Sequence, residues 1–509
     1  MVSYIKLKVI KKANQFTLNR EPLNQIKKLA GQTLIYGLGT IIPRFLNYLF
    51  LTPVYTRLFA EPDYGILTKL YAYSAFLIVL LTFGTETSFF RFAKKYQSTR
   101  VFTNAFFFIV ATAILSILVI GFNLDNITNN LNIGGAKVAV VMIMGIVLTD
   151  IFMSLPFARL RYENKARLFS TLKIINVVLN IFFNVFFFFI LPHLKDIVFF
   201  ESIYYPGYTF QYAFMSNLLA NIFTLILLIP SFRVNLKMLN QGIILSMLLY
   251  SYPIVLSGLA GMINDVGDKF ILEYFIDGKE AANYAIGIYG ANYKIATLMI
   301  IFIQMFKFAV EPFFFRISDQ KDHKTTYALV TKAFSYTGLF ILVAIIGYID
   351  IFKHFIDSDY HVGLKIVPIV LLGNFFFGLY YNVSIWYKIT DKTRFGVYFT
   401  FIGSIITLIV ISLLVPSLGY MGAAIATLMC FVSMAITNIL VGRKYYKINY
   451  DWANISKLLI VALILVTGFW LFRSENIIYS LIFGTLIIFA FLISLWFVDQ
   501  EFLRKLKSK

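Results

Sequence analysis

The chain has 509 residues, of which 59% are hydrophobic and only 14% are charged. Soluble domains are about 45–50% apolar, so this composition excludes a soluble protein and predicts an all-α integral membrane protein. Lys and Arg together number 45 and Asp and Glu 25, which gives a formal net charge of +20.

The chain begins with a basic arm over residues 1–30. This arm lacks the short apolar core and the small-residue cleavage site of a signal peptide. We therefore expect it to remain in the cytoplasm.

Fourteen apolar segments follow the arm, and each can cross about 30 Å of hydrocarbon as a helix. In chain order they cover 34–56, 66–90, 101–122, 136–158, 169–191, 209–230, 242–264, 284–310, 327–349, 362–387, 395–415, 418–441, 455–472 and 477–498. They leave no room for a domain outside the membrane. The single cysteine, Cys430, lies in the twelfth segment, so neither a disulfide within the chain nor a cysteine metal site is expected.

Basic residues alternate between the two sides of these segments. The N-terminal arm, every second connection after it and the C-terminal tail carry thirty Lys and Arg residues, whereas the intervening connections carry four. Because Lys and Arg in short loops gather on the cytoplasmic side, the alternation predicts fourteen spans with both termini in the cytoplasm. Loops that face anionic lipid then account for most of the net charge, and no nucleic-acid partner is expected.

The sequence contains an internal repeat. The second and eighth segments align at an offset of 225 residues, and nine of 28 positions are identical. The identical residues are Tyr64, Gly65, Lys69, Ile78, Phe83, Glu86, Phe89, Phe90 and Arg91, matched with Tyr289, Gly290, Lys294, Ile303, Phe308, Glu311, Phe314, Phe315 and Arg316. A second match, at an offset of 227, pairs Arg161, Lys165 and Arg167 with Lys388, Lys392 and Arg394.

Both offsets correspond to a displacement of six helices, which preserves helix orientation. The repeat therefore predicts two parallel six-helix lobes related by an axis along the membrane normal, as in several secondary transporters. The predicted organisation is a basic arm (1–30), an N-lobe (31–240), a C-lobe (241–445) and two further helices with a basic cytoplasmic tail (446–509).

The first and seventh segments carry internal prolines, Pro43 and Pro253, with glycines nearby, which predicts kinked helices at corresponding positions of the two lobes. Arg44 follows the first of these prolines. An arginine near the middle of the bilayer costs at least about 2.5–3.5 kcal/mol and normally faces a cavity or a partner. A guanidinium can hold a phosphate with two hydrogen bonds. The alternative is a structural ion pair with Asp150 or Glu86.

Three lysines extend this predicted basic cleft between the lobes. Lys69 and Lys294 match in the repeat and lie about one turn inside the outer face, while Lys307 lies deeper. With Arg44 they are the candidate substrate-binding residues. The alternative for the two outer lysines is that they extend to the membrane surface.

Four matched residues lie at the cytoplasmic ends of the second and eighth segments. Glu86 and Glu311 lie just inside these ends, and Arg91 and Arg316 lie just outside. Salt bridges between the lobes would close the cytoplasmic side in one of two states, which makes these residues candidates for a gate. Local pairing at a helix end is the alternative.

Asp150, Asp265 and Asp268 are candidates for coupling to a proton or sodium ion, although Asp268 beside Lys269 also fits a solvated helix end. Asn176, Asn180 and Asn184 share one face of the fifth segment and are expected to support helix packing, with the lining of a cavity as the alternative. The chain has no phosphate-binding loop, and its four histidines lack the spacing of a metal site. Neither a cofactor nor an enzymatic activity is predicted.

Four stretches carry a resemblance to a known family. GLGTIIPRFLNYLFLTPVYTRLFAEPDYGILTKLYAYSAFL, INDVGDKFILEYF, IGIYGANYKIA and GYMGAAIATL resemble the polysaccharide or O-antigen flippases of the multidrug/oligosaccharidyl-lipid/polysaccharide exporter superfamily. The resemblance spans roughly residues 30–445. It implies a two-lobed, fourteen-helix protein of the bacterial inner membrane with charged residues in its lumen, among which we place Arg44, Lys69 and Lys294.

The resemblance also implies a function in the synthesis of surface polysaccharide, O-antigen or lipopolysaccharide. An undecaprenyl-diphosphate-linked oligosaccharide would move from the cytoplasmic to the periplasmic leaflet, driven by an ion gradient or the membrane potential. A polysaccharide polymerase and glycosyltransferases would be partners. Three alternatives stay open: a drug or metabolite antiporter, which would prefer an acidic cavity; a lipid II flippase, whose substrate also carries a diphosphate; and a structural partner in an assembly complex.

Overall fold

The computed structural model describes residues 37–502 apart from 38, 132–135, 319, 321 and 475. The predicted N-terminal arm and most of the basic tail lie outside this range, and so does the side chain of Arg316, although its backbone continues a helix. Within the range the chain is built from helices, and no described residue belongs to a β-strand.

Thirteen helices in the described part of the chain are long and apolar enough to cross a membrane, and another long helix precedes them. We number them α1 (39–58), α2 (Glu61–Phe92), α3 (Ser98–Phe122), α4 (Lys137–Tyr162), α5 (Ala166–Leu194), α6 (Phe210–Ser231), α7 (Gln241–Phe275), α8 (Lys279–Phe315), α9 (His323–Gly347), α10 (Ser358–Ile389), α11 (Arg394–Leu418), α12 (Tyr420–Tyr445), α13 (Trp452–Phe472) and α14 (Ile477–Val498). Each overlaps one predicted segment, so the predicted all-α membrane fold is confirmed. The lobe boundaries remain predictions.

Several helices change geometry along their length, among them α5, which contains a π-helical segment over Phe186–Ile190. In α2, Phe83 and Gly84 adopt left-handed backbone conformations with φ of 46° and 64°, which separates Glu61–Thr82 from a short inner helix, Thr85–Phe92. In α7, a π-helical turn over Ile263–Gly267 interrupts the helical ladder. Such π turns are rare and often occur at functional sites.

Amide side chains join the helices of the N-lobe. Asn176 on α5 donates from Nδ2 to Asn221 Oδ1 and to Thr224 Oγ1 on α6, both at 3.0 Å. Tyr55 on α1 donates to Asn184 Oδ1 on α5 at 2.8 Å. In hydrocarbon, helix association depends on close packing and on such hydrogen bonds between helices. The predicted packing role of Asn176 and Asn184 is confirmed.

Small residues bring the helices of the C-lobe together. Gly442 on α12 lies against the indole of Trp386 on α10, whose Nε1 donates to Asn438 Oδ1 at 2.7 Å. Gly422, also on α12, lies so close to the carbonyl of Leu414 on α11 that a side chain there would overlap it. Close backbone approach of this kind replaces the hydrophobic effect, which does not drive helices together within a bilayer.

The last two helices pack against α9. The backbones of Gly347, at the end of α9, and Gly484, on α14, approach so closely that neither can carry a Cβ without displacement. Ion pairs also hold α13 and α14 at both ends of this contact. The two helices predicted as an addition to the repeat are therefore attached to the C-lobe through α9.

Candidate functional site

The two predicted lobes meet where α2 crosses α8, at the end of these helices that the predicted topology places outside. We call this the outer end. A Cβ at Gly65 on α2 would overlap the backbone carbonyl of Asn283 on α8, and a Cβ at Gly287 on α8 would overlap the carbonyl of Glu61 on α2. Only glycine allows the two backbones to come this close. The outer end of the space between the lobes is therefore closed along this crossing.

Lys69 joins the lobes at the same level. Its Nζ lies 2.7 Å from Glu273 Oε1 on α7 and donates to Asn283 Oδ1 on α8 at 2.9 Å. The side chain of Lys69 is only 1% exposed. In this conformation the lysine is thus part of the contact that closes the outer end.

Lys294, the residue that matches Lys69 in the repeat, has a different environment. It is half-buried on α8 and forms no hydrogen bond or ion pair with another described side chain. Lys269, whose Nζ lies 4.2 Å from the centre of the Tyr293 ring, adds a second positive charge in this part of the C-lobe. The interior of the C-lobe therefore contains an ammonium group without a counter-charge.

Arg44 lies on α1 with its side chain exposed, and it forms no ion pair or hydrogen bond with another described side chain. Its two proposed structural partners bind other groups. Asp150 accepts a hydrogen bond from Asn221 Nδ2 at 3.0 Å, and Glu86 is paired with Arg161. Arg44 is thus available to a ligand in this conformation.

Lys173 on α5 was not predicted as a site residue. It is half-buried, and its Nζ lies 4.2 Å from the centre of the Phe157 ring. The charges of Asp150 and Arg44 both act on it, so these three groups share one region of the N-lobe. A lysine within the fifth apolar segment was the signal that could have identified it.

Glu86 and Glu311 occupy equivalent positions in the two lobes and form equivalent ion pairs. Glu86 on α2 pairs with Arg161 on α4, and Glu311 on α8 pairs with Lys388 on α10, with 2.7 Å between Oε1 and Nζ. Both pairs lie within one lobe. They match the local pairing at a helix end, which the sequence analysis gave as the alternative to a gate between the lobes.

Arg91 does contact the other lobe. Its guanidinium carbon lies 4.1 Å from the centre of the Tyr250 ring on α7. One residue along, Ser251 Oγ donates to the carbonyl of Gly84 on α2 at 3.3 Å. The inner halves of α2 and α7 are therefore joined by a cation–π contact and a long hydrogen bond.

The two candidate carboxylates of α7 differ in their surroundings. Asp268 is 1% exposed and accepts hydrogen bonds from the Tyr289 hydroxyl, from Thr427 Oγ1 at 3.1 Å and from Lys269 Nζ at 3.0 Å. The alternative of a solvated helix end is wrong for Asp268. Asp265 lies in the π-helical turn with its side chain exposed.

A sequence model described as polysaccharide biosynthesis protein matches residues 29–318, which is more than half of the chain. The chain belongs to this family.

Solved structures share the fold of this chain. The lipid II flippase MurJ in an inward closed conformation aligns with a TM-score of 0.69 and 14% identity, over 91% of this chain and 99% of that one. A multidrug resistance MATE family transporter aligns in its inward-facing and outward-facing conformations, with TM-scores of 0.63 and 0.58 and 14% identity, over 82% of this chain and 97% and 95% of those. No curated protein sequence matches the chain.

These comparisons confirm the predicted resemblance to the exporter superfamily. The chain is a multi-pass membrane protein with a transporter-type fold. Its described residues contain a contact between the predicted lobes at Lys69, a second contact at Arg91, and basic groups that have no counter-charge. Such groups can attract an anionic ligand.

Proposed function

We propose that the chain is a flippase that moves an undecaprenyl-diphosphate-linked oligosaccharide from the cytoplasmic to the periplasmic leaflet of the bacterial inner membrane, with both of its termini in the cytoplasm. The observation that carries the proposal is a set of basic side chains on the membrane helices, Arg44, Lys294 and Lys307, that form no ion pair with a described residue. A charged side chain within the span of a membrane helix is costly unless a partner compensates it. A diphosphate supplies that partner.

The translocation step follows alternating access between two states. In one state the crossing of α2 and α8 and the Lys69–Glu273 pair close the outer end, as in the present conformation. In the other state these contacts separate and the inner ends approach. Arg91 and Tyr250 already form a contact between the lobes on the inner side, and we propose that Glu86, Glu311 and Arg316 complete the closed inner gate.

The proposal includes coupling to an ion gradient or to the membrane potential. Asp150, Asp265 and Asp268 are the candidate coupling groups. Asp265 is the best of these candidates because its side chain is exposed and lies in a π-helical turn. Asp268, in contrast, already accepts three hydrogen bonds. A polysaccharide polymerase and glycosyltransferases are the partners that this function requires.

A lipid II flippase is the second candidate, supported by the fold-level similarity to MurJ over most of both chains. Both substrates present a diphosphate on a long lipid, so the basic interior fits either. A cation antiporter is supported less well, because the interior groups without a counter-charge are basic.

The test is surface polysaccharide production in a deletion strain complemented with wild type, Arg44→Ala or Arg44→Lys, at equal membrane levels. Arg233→Ala is the control, since Arg233 is an exposed arginine in the connection between α6 and α7. We expect loss of polysaccharide and accumulation of lipid-linked precursor in the deletion, with rescue by wild type and Arg233→Ala but not by Arg44→Ala.

Other outcomes select the alternatives. A deletion strain that lyses with a peptidoglycan defect supports the lipid II flippase. Normal polysaccharide with altered drug tolerance supports the antiporter. If export depends on the protein but Arg44→Ala restores it fully, the protein is better described as a structural partner in an assembly complex than as a flippase with a basic cleft.

A further inference from the structure

The connection between α5 and α6 is much longer than its counterpart in the C-lobe. It covers residues 195–209, whereas the corresponding connection between α11 and α12 is the single residue Gly419. A tight turn is thus enough to join two such helices. The additional residues of the N-lobe connection therefore point to a role of their own.

Apolar side chains protrude from this connection. Val198 is 84% exposed and Phe199 68%, and Ile197 just before them is 50% exposed. No charged residue lies between Asp196 and Glu201. Neighbouring apolar side chains with charged residues at their rim mark a surface that contacts a partner or a membrane.

The residues that follow are fixed to the lobe. The ring of Phe200 lies 6.0 Å from the ring of Phe186 on α5. The hydroxyl of Tyr212, on α6, donates to the carbonyl of Ile203 at 3.0 Å and accepts from the backbone N–H of Tyr205 at 2.7 Å. The connection is therefore held against both helices, while the apolar side chains before Phe200 stay exposed.

The contact between Phe200 and Phe186 indicates how deep the connection lies. The 29 residues of α5 form a helix about 43 Å long. Centred on a hydrocarbon core about 30 Å thick, such a helix extends about 6–7 Å beyond the core at each end. Phe186 lies eight positions before Leu194, the last residue of α5, and therefore about 12 Å from the helix end. The connection thus folds back along α5 to the edge of the hydrocarbon.

Other side chains at this level fit a lipid environment. Phe189 and Ile190, near the end of α5, are 48% and 41% exposed. Tyr205 is 51% exposed, and its ring stacks on that of Tyr208 with 4.9 Å between the centres. Tyrosine is enriched where the hydrocarbon meets the headgroups. A water-soluble partner would approach from beyond the headgroups, so the depth of these residues favours lipid.

We propose that residues 197–205 form a membrane anchor, in which Val198 and Phe199 insert among the acyl chains of the leaflet that the predicted topology places outside. Tyr205 then lies among the headgroups of the same leaflet. The inference goes beyond the proposed function, because it assigns a lipid-binding surface that translocation of a substrate does not require. The single-residue connection at Gly419 offers no equivalent surface in the C-lobe.

The test places a nitroxide at Val198→Cys or Phe199→Cys, each combined with Cys430→Ala, in the full chain in vesicles of phosphatidylethanolamine and phosphatidylglycerol. Electron paramagnetic resonance measures collisions of the nitroxide with oxygen, which concentrates in hydrocarbon, and with a water-soluble nickel chelate present on both sides of the membrane. We expect the oxygen-to-nickel collision ratio at both positions to be about tenfold higher than at a site in water, because moving the polar chelate into hydrocarbon is costly.

Two labelled positions supply the reference values. Asp277→Cys gives the value for water, since Asp277 is exposed in the connection between α7 and α8. Ile464→Cys gives the value for lipid, since Ile464 is 65% exposed on α13. Thermal unfolding of each labelled sample identifies a variant that is misfolded, and either of the two anchor positions is enough for the test if the other does not fold.

A collision ratio near that of Ile464→Cys supports the anchor. A ratio equal to that of Asp277→Cys would overturn it, because the connection would then lie in water. Low collision rates with both reagents would overturn it as well, because protein, such as a second copy of the chain, would then cover the apolar side chains.

Discussion

Lys388 Nζ lies 2.7 Å from Glu311 Oε1 at the inner end of the C-lobe. The residues that match them in the repeat, Arg161 and Glu86, form the corresponding ion pair in the N-lobe. Each pair joins the second helix of its lobe to the fourth. The repeated charges therefore hold the inner end of each lobe together as a unit.

Exchanging the two charges of one pair tests this role. Glu311→Lys alone places two ammonium groups side by side and should lower export and thermal stability. Adding Lys388→Glu restores an attractive pair and should recover most of the loss. Because both side chains are partly exposed, we expect a coupling energy of about 0.2–1 kcal/mol from the double-mutant cycle. A double variant no better than Glu311→Lys would show that the pair does not join the helices.

Lys69→Met is expected to open the outer end of the cleft. The substitution leaves Glu273 and Asn283 without their donor, and breaking a buried ion pair costs about 3–5 kcal/mol. Spin labels at Lys195, in the connection after α5, and at Ser417, in the last turn of α11, should report a longer distance in the variant. The labels require Cys430→Ala, which removes the only cysteine of the chain.

Lys137→Met is the control for that experiment. Lys137 pairs with Asp125, but the two side chains are 65% and 77% exposed, so the pair contributes little. The distance between labels should not change. If Lys69→Met also leaves the distance unchanged, the lysine does not hold the outer end closed.

Gly65→Ala should force α2 and α8 apart, because its Cβ would overlap the backbone carbonyl of Asn283. Gly468→Ala on α13 is the matched substitution, since a Cβ there meets no atom within 4 Å. We expect a clear fall in the unfolding temperature and in export for Gly65→Ala and none for Gly468→Ala. Equal unfolding temperatures for the two variants would contradict the close crossing.

The pH dependence of the α13 and α14 attachment follows from carboxylates at both membrane surfaces. On the outer side, Asp350 binds Arg473, Lys353 Nζ at 2.7 Å and Ser480. Burial alone would raise the pKa of Asp350, but hydrogen bonds from Arg473, Lys353 and Ser480 lower it well below its ordinary value of 3.8. The ionised form is thus strongly favoured in the folded protein.

On the inner side, Lys332 on α9 pairs with Asp451 at 2.6 Å and with Asp499. Desolvation opposes ionisation of both carboxyls, but the hydrogen bonds from Lys332 lower the pKa of each below its ordinary value. Since Asp451 precedes α13 and Asp499 follows α14, one lysine holds the inner ends of both helices.

A carboxylate with a lowered folded-state pKa stabilises the folded state above its unfolded pKa, and this contribution is lost as the pH falls through the folded value. We therefore expect hydrogen exchange in α13 and α14 to be constant from neutral pH down to about 4, after correction for the intrinsic rate, and to rise at lower pH. Asp350→Asn should raise exchange at all pH values. A rise in wild type between pH 7 and pH 5 would contradict these ion pairs.

The membrane segments could be predicted because the signal is local. A run of about twenty apolar residues has few structural alternatives, and the alternation of basic loops checks the count independently. The repeat could also be recognised from the sequence, because Lys, Glu and Arg are scarce in such segments and their matches at a constant offset are therefore informative. For that reason Glu86 and Glu311 could be matched before any fold was known.

The partners of these residues could not be predicted, because pairing depends on which helices become neighbours. Glu273 lies 204 positions from Lys69, and Arg161 lies 75 positions from Glu86. The interruption of α2 at Phe83 was also missed, since a left-handed phenylalanine has no sequence signal comparable to proline. Lys173 was passed over because the repeat gives it no basic counterpart.

The attachment of α13 and α14 makes the two halves of the protein unequal in size. Held at both surfaces, these helices enlarge the C-lobe to eight helices, against six in the N-lobe. When two bodies rock against each other in a viscous bilayer, the one with the smaller cross-section turns through the larger angle. In the proposed transport cycle the C-lobe would therefore be the stationary frame, and most of the lipid displaced in each cycle would lie around the N-lobe.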